Sequence, residues 1–193
     1  MPNSSLGPRL QQLLLQAGNH TTLMMMQVPV NEFSLRTATI EDIDGILALQ
    51  RAAPECAQWP RAIYEKILLT SEPKNSNIQR VVLCVQREDR VEGFLVASFL
   101  RLADTTECEL ENMAVNPTHR RSGLGRHLVA ALQAWCSEQH ADQLHLEVRA
   151  SNRAALELYA KMGFSSVGKR QAYYRQPVED AVLLAWSAKK NIL

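Results

Sequence analysis

Two rhythms of apolar and polar positions alternate along the chain. Phe33-Ser-Leu-Arg-Thr-Ala38 alternates with period two and predicts a strand. Thr39 follows as a helix N-cap, with Asp42 in the capping-box place, and Ile43, Ile46, Leu47 and Leu49 continue an apolar helical stripe. Pro54 and Trp59-Pro60 end it, and Ala62 to Leu69 predicts a second short helix with Ile63, Ile67 and Leu68 inward. Ser71 to Asn77 is a loop by composition. Arg80 to Gln86, Val91 to Phe99 and Glu107 to Val115 read as strands joined by short polar turns, hence antiparallel. Leu124, Leu128, Leu132 and Cys136 then recur every fourth residue on an amphipathic helix. Gln143 to Arg149 returns as a strand, Ser151 or Asn152 caps a helix through Met162, and Gly163 stops it. Phe164 to Lys169 and Glu179 to Ser187 complete the strands. Because the piece from Glu107 to Val148 is a strand–helix–strand crossover, its two strands are expected to be parallel neighbours.

This pattern starts only at Phe33. Residues 1–32 therefore read as a mobile N-terminal extension, 33–188 as one domain and 189–193 as a tail. Arg9 to Ala17 is a candidate short helix stopped by Gly18-Asn19. Met24-Met25-Met26 leaves two readings open, a translation start at one of these methionines or a genuine extension. A net charge of +1 argues against a nucleic-acid binder, so any polyanion site must be local. Cys56, Cys84, Cys108 and Cys136 are widely spaced and read as unpaired thiols of a reducing compartment, the cytoplasm. The five histidines have no metal-ligand spacing, and no metal is expected. No apolar run approaches the roughly 20 residues of a membrane span, and Leu13-Leu-Leu15 is short of a secretory signal.

One stretch carries chemistry on its face. Asn112-Met-Ala-Val-Asn-Pro-Thr-His-Arg-Arg-Ser-Gly-Leu-Gly-Arg126 is a strand end, a break at Asn116-Pro117, a basic glycine-rich turn and a helix start. Glycines permit close backbone approach, and free N–H groups with the helix dipole face negative charge, so the stretch suits an anion with extended phosphates. The plain alternative is a tight turn with solvated arginines.

With this turn after the fourth strand, the element order resembles the GNAT superfamily of acyl-CoA N-acyltransferases. The signature hexapeptide is Arg120-Arg121-Ser122-Gly123-Leu124-Gly125. Leu146-Glu-Val-Arg-Ala-Ser-Asn152, Ala155-Leu-Glu-Leu-Tyr159, Gly163-Phe164, Tyr173-Tyr174 and Glu179-Asp-Ala-Val-Leu183 further resemble the RimI group, which acetylates the N-terminal alanine of the eighteenth small-subunit ribosomal protein. The resemblance implies an α+β, three-layer fold with a mixed central sheet and helices on both faces. It implies acetyl-CoA as co-substrate, its pyrophosphate on the N–H groups of Arg121, Ser122, Gly123, Leu124, Gly125 and Arg126. Main-chain groups of Met113, Ala114 and Val115 would hold the pantetheine arm, and Asn152 would add a cofactor contact. A side chain at Gly123 or Gly125 is expected to block the phosphate.

For the acceptor, an amine of pKa near ~8 must lose a proton before it attacks, and a nearby carboxylate takes it. Glu147 matches the general base of the RimI group. Glu109 and Glu111 rival it, on a strand face that simple alternation shares with Met113 and Val115. The plain alternative for Glu147 is a carboxylate paired with Arg149 or another cation. Tyr159 matches the tyrosine beside the thioester sulfur, a proton donor to the departing CoA thiolate; a core tyrosine is compatible with that place. Asp104, Glu107, Glu109 and Glu111 form an acidic stripe that suits a basic peptide, and Tyr173-Tyr174 and Trp59 are candidate walls for it. The expected partner is a protein N-terminus, an alanine of a small-subunit ribosomal protein, with no nucleic acid and no membrane. A small amine or lysine side chain is the alternative acceptor, and a non-catalytic acyl-CoA adaptor the alternative class.

Overall fold

The two rhythms assemble into a sheet between two helical layers. The computed structural model describes residues 28–30, 32–69, 77–103 and 105–187. The expected helix over 9–17, most of the loop over 71–77, Asp104 and the tail over 189–193 lie outside them. In chain order the elements are β1 (Val28–Val30), β2 (Phe33–Thr37), α1 (Ile43–Ala52), α2 (Arg61–Leu69), β3 (Ile78–Arg87), β4 (Arg90–Arg101), β5 (Thr106–Val115), α3 (Leu124–Glu138), β6 (Gln143–Arg149), α4 (Arg153–Lys161), β7 (Ser165–Arg175) and β8 (Val178–Trp186). They form one eight-stranded sheet in the order β1-β2-β3-β4-β5-β6-β8-β7. The β5–β6 pair is parallel, as the crossover through α3 requires, and the other paired strands run antiparallel.

Each face of the sheet has its own core. Helices α3 and α4 cover one, where Leu128, Leu132 and Leu144 are fully buried against Val85, Leu95 and Phe99. Each such leucine contributes about 1.5–3 kcal/mol of burial. Helices α1 and α2 cover part of the other, around Ile43, Ile46, Tyr64 and Phe94. The start of α1 uses the expected Thr39–Asp42 pairing. Asp42 accepts from Thr39 N at 2.7 Å and also pairs with Arg36 of β2 at 2.6 Å, which explains a short carboxylate where glutamate is usual.

Two expectations are corrected, and one short strand is added. In α2 the inward anchor is Tyr64, 0% exposed, whereas Ile63 is 38% exposed. The phenol can go inside because Gln50 and Asn112 meet it there. β7 runs on to Arg175, well past Lys169. It is the outer strand and mostly exposed, so little apolar alternation marks it. Finally, Val28–Val30, within the stretch read as extension, pairs with Phe33–Leu35.

Candidate active site

Simple alternation fails in the middle of β5, and the site is built on that failure. Val96 pairs with Asn112 but Ala97 pairs with Leu110, so Glu111 is the extra residue of a β-bulge. Before it, Cys108 and Leu110 face α3 and α4; after it, Met113 and Val115 do. Glu109 and Glu111 therefore do not share a face with Met113 and Val115, contrary to expectation. They point to the α1–α2 side, where Asn112 and Ala114 follow them.

The bulge also ends a ladder. Parallel pairing of β5 with β6 stops at Leu110–Leu146. Beyond it, the edge of β5 from Glu111 to Val115 has no ladder partner toward β6 among the described residues. Such an edge offers unpaired N–H and C=O groups to an extended, amide-bearing chain. Met113, Ala114 and Val115, the expected pantetheine contacts, lie along it.

The basic turn follows directly. Asn116 organises its start: Oδ1 accepts from Thr118 N at 3.1 Å, and Nδ2 donates to Glu92 Oε2 at 2.6 Å. Glu92 is 6% exposed, and His119 Nε2 lies 3.7 Å from the same carboxylate oxygen. This anchor was missed in the sequence, although a lone glutamate within an apolar run is a readable signal. Ser122 Oγ donates to His119 O at 2.6 Å, and Arg121 adopts φ 64°. Gly123 caps α3 at φ 97°, a left-handed value that strains any other residue. The first intrahelical bond runs from His127 N to Gly123 O. The N–H groups of Leu124, Gly125 and Arg126 precede it and point out of the helix start.

The arginines and glycines divide their labour. Arg120 pairs with Glu55. Arg121 and Arg126 are exposed and in no salt bridge among the described residues, leaving them to face an anion. A Cβ on Gly123 would meet only the His127 ring, at 3.6 Å. A Cβ on Gly125 would lie 3.2 Å from Leu158 Cδ2 and 3.3 Å from Met113 Cε. Gly125 thus keeps α3 close to β5 and α4, a packing role beside the phosphate role expected of it.

Tyr159 of α4 lies on the α3–α4 face, 7% exposed. Its hydroxyl is 3.9 Å from Met113 Sδ, beside the open edge of β5. Burial first, and then the nearby Tyr174, raise its pKa above the usual phenol range, so it keeps its proton. Asn152 caps α4 through Oδ1, which accepts from Ala155 N at 3.1 Å.

The opposite face carries an open groove of about 530 Å³, lined by Arg80, Glu107, Glu109, Glu111, Glu147 and Arg170 among others. Arg80 pairs with Glu111 at 3.0 Å, and Arg170 Nη1 with Glu147 Oε1 at 2.9 Å. Glu147's cation is thus Arg170; Arg149 pairs instead with Glu179 at 3.4 Å and lies 4.0 Å over the Tyr174 ring. A hydrogen bond to Glu147 raises the Tyr173 pKa, followed by the carboxylate's charge. Partial desolvation, then the charges of Glu111 and Glu147, raise the Glu109 carboxyl above its usual range, while Arg170 and His145 oppose the shift. Tyr173 reaches Glu147 because β7 bulges: Arg170 pairs with Ala181 and the next pair is Tyr174–Glu179. Ala172, inside the bulge, sits at φ 47° with its N–H donating to Asp180 Oδ1 at 3.0 Å.

Of the expected walls, Tyr173 touches the groove through its hydrogen bond to Glu147. Trp59 instead packs on Tyr64, ring centroids 5.8 Å apart, in the connection between α1 and α2. That connection is tied down by buried amides. Gln50 Nε2 donates to Trp59 O at 3.0 Å, and Asn112 Nδ2 to Ala57 O at 2.9 Å. Asn112 Oδ1 is buried with no hydrogen-bond partner. All four cysteines are free. Among the described residues no His/Cys/Asp/Glu group could hold a metal, and no helix is long and apolar enough to cross a membrane.

An open strand edge beyond the end of a parallel ladder, running into a glycine-capped helix start, with a phenol on one side and carboxylates on the other, is an arrangement that suits an acyltransferase moving an acyl group from a phosphate-bearing carrier to an amine. The sequence matches the acetyltransferase (GNAT) family over residues 45–164, and the chain belongs to that family. It is an acetyl-CoA-dependent N-acetyltransferase. It is 38% identical over 100 residues to the [ribosomal protein bS18]-alanine N-acetyltransferase of Salmonella typhimurium, an alignment covering 51% of this chain and 65% of that enzyme. It is 29% identical over 164 residues to an N-alpha-acetyltransferase of Sulfurisphaera tokodaii, covering 80% of this chain and 92% of that one. The crystal structure of the Escherichia coli ribosomal-protein-S18-alanine N-acetyltransferase superposes with a TM-score of 0.63 at 24% identity, covering 83% of this chain and 99% of that one, and shares the fold.

Proposed function

We propose that this enzyme acetylates the N-terminal α-amino group of a basic protein, with the alanine terminus of a small-subunit ribosomal protein as the leading candidate. The observation that carries the reading is the groove across the sheet from Tyr159. Glu107, Glu109, Glu111 and Glu147 line it against Arg80 and Arg170, an acidic excess that favours a cationic chain end. The Salmonella relative acts on an alanine terminus of bS18 by its name, and the Sulfurisphaera relative is named for α-amino acetylation.

Acetyl-CoA supplies a thioester carbonyl that an uncharged amine can attack. Main-chain groups of Met113, Ala114 and Val115 hold its extended arm, and the N–H groups from Arg121 to Arg126 hold the pyrophosphate, with Asn152 beside the arm. The open edge of β5 and the unobstructed space at Gly123 fit those tasks. Glu147 takes a proton from the acceptor's α-ammonium, leaving the nitrogen lone pair free. The amine nitrogen bonds to the carbonyl carbon, the carbon–sulfur bond breaks, the sulfur leaves with the electron pair, and the nitrogen's second proton passes to that sulfur, so that the products are the amide and the free CoA thiol. Tyr159 keeps its proton and donates a hydrogen bond that strengthens as charge gathers on sulfur. Its raised pKa makes this description fit better than early proton transfer.

The test is a panel of acceptors incubated with acetyl-CoA and read by mass spectrometry: a basic peptide starting with alanine, its N-terminally blocked form with free lysines, and small amines. The expected result is one acetyl group on the free alanine terminus. Turnover confined to lysines or small amines would overturn the reading.

A further inference from the structure

Glu147 already holds a cation. Arg170 Nη1 lies 2.9 Å from Oε1, and the two residues sit on strands separated by β8. The guanidinium reaches across one strand to make the contact, in the groove where the acceptor amine is read to enter. The partners differ in freedom. Glu147's side chain is 18% exposed, on a strand paired with β8 from Leu144 to Arg149. Arg170's is 55% exposed, on the outer strand, at the last pair before the register shifts to Tyr174. Its guanidinium lies 5.4 Å from the centroid of the Tyr173 ring, itself exposed. A cation held this way is screened by solvent and can leave, whereas the carboxylate cannot. An α-ammonium carries the same charge and competes with Arg170 for Oε1, the oxygen on which the guanidinium rests.

We propose that Arg170 is a displaceable stand-in for the acceptor's α-ammonium. It covers Glu147 in the free enzyme, swings to the solvent side of the outer strand when a peptide N-terminus enters, and so sets how strongly an acceptor must bind. Arg170 is a specificity residue in this scheme: it leaves Glu147 before the proton moves, and it touches no atom of either substrate. The inference rests on the reading that Glu147 receives the acceptor amine.

Steady-state rates of Arg170→Met test it, with saturating acetyl-CoA and whichever amine the acceptor panel identifies. The KM for the acceptor is expected to fall about two- to fivefold, the size of an exposed ion pair, with kcat unchanged. Acetyl-CoA affinity, measured by calorimetry, is expected to stay the same. Arg170→Lys, which keeps the cation, is expected to bring KM back toward the wild-type value. An unchanged or higher KM in Arg170→Met overturns the proposal. Glu147→Gln separates the two readings: full rate in that variant removes the base assignment, whereas lost rate with no fall in KM for Arg170→Met removes only the role of Arg170.

Discussion

On the proposed reading, the donor side from Met113 to Arg126 works with main-chain groups: an open strand edge, outward N–H groups and a left-handed glycine. Across the sheet, the proposed acceptor groove works with side chains brought from β3, β5, β6 and β7, where Arg80 checks Glu111 and Arg170 checks Glu147. A backbone site is specified by conformation, so one contiguous stretch of sequence encodes it. A side-chain site is specified by register between distant strands, and its charges can be retuned without disturbing the fold. The division suits an enzyme whose donor is fixed and whose acceptor distinguishes it from its relatives.

The sharpest way to break that division is to remove chemistry on each side while leaving binding alone. Glu147→Gln keeps shape and loses the proton acceptor; kcat is expected to fall about 10²- to 10⁴-fold, the range for a general base. Tyr159→Phe removes a donor to sulfur, and the fall is expected to be about ten- to hundredfold, less than for an oxyanion donor because thiolate is a weaker acceptor. Acetyl-CoA affinity should hold in both, so single-turnover rates with calorimetry check the pair. A full rate in Glu147→Gln would move the base to Glu109 or Glu111.

The two glycines of the turn sharpen the donor half. Gly123→Ala forces a β-carbon onto a left-handed backbone and is expected to cost about 1–2 kcal/mol. Space at that position is open, so the loss should fall on the turn's shape and hence on acetyl-CoA affinity. Gly125→Ala is expected to do less, because its Cβ presses on flexible ends of Leu158 and Met113. Thermal melts with and without acetyl-CoA measure both effects. Equal loss of affinity in the two variants would contradict the assignment of Gly125 to packing.

The same contrast explains what was legible in the sequence. The turn, its glycines, the crossover and the stripe of Leu124, Leu128, Leu132 and Cys136 lie in local periodicity, and the structure has them in place. The bulge at Glu111 was not legible: it adds one residue to a strand whose burial still alternates, and only the partner strand reveals the flip. Tyr173 was legible as a candidate wall, but its contact with Glu147 and that of Arg170 were hidden for a related reason. Their meeting with Glu147 depends on the order β6-β8-β7 and on a loosened register in an exposed strand, none of which leaves a hydrophobic trace. Tyr64 was displaced by an assumption that apolar neighbours go inside first, when Gln50 and Asn112 supply what a buried phenol needs.

The smallest expected effect concerns the crowding of carboxylates in the groove. Glu109 has a raised pKa, from partial desolvation first and then from Glu111 and Glu147. The folded chain therefore holds this proton to higher pH than the unfolded chain, whose glutamate titrates near ~4.3. The contribution to stability is fully present below that value and is lost as pH rises through the folded pKa, since unfolding then releases a proton. Glutamine does not titrate. Glu109→Gln should match the wild type at acid pH and exceed it at neutral pH, by less than about 0.5 kcal/mol because the residue is exposed. Urea melts on either side of the carboxylate range measure the difference, and a gain confined to acid pH would contradict it. Because Glu109 is also the rival base, kcat of the same variant decides whether its raised pKa is a by-product of an acidic groove or part of the chemistry. With Glu147 as base, kcat should survive while stability rises.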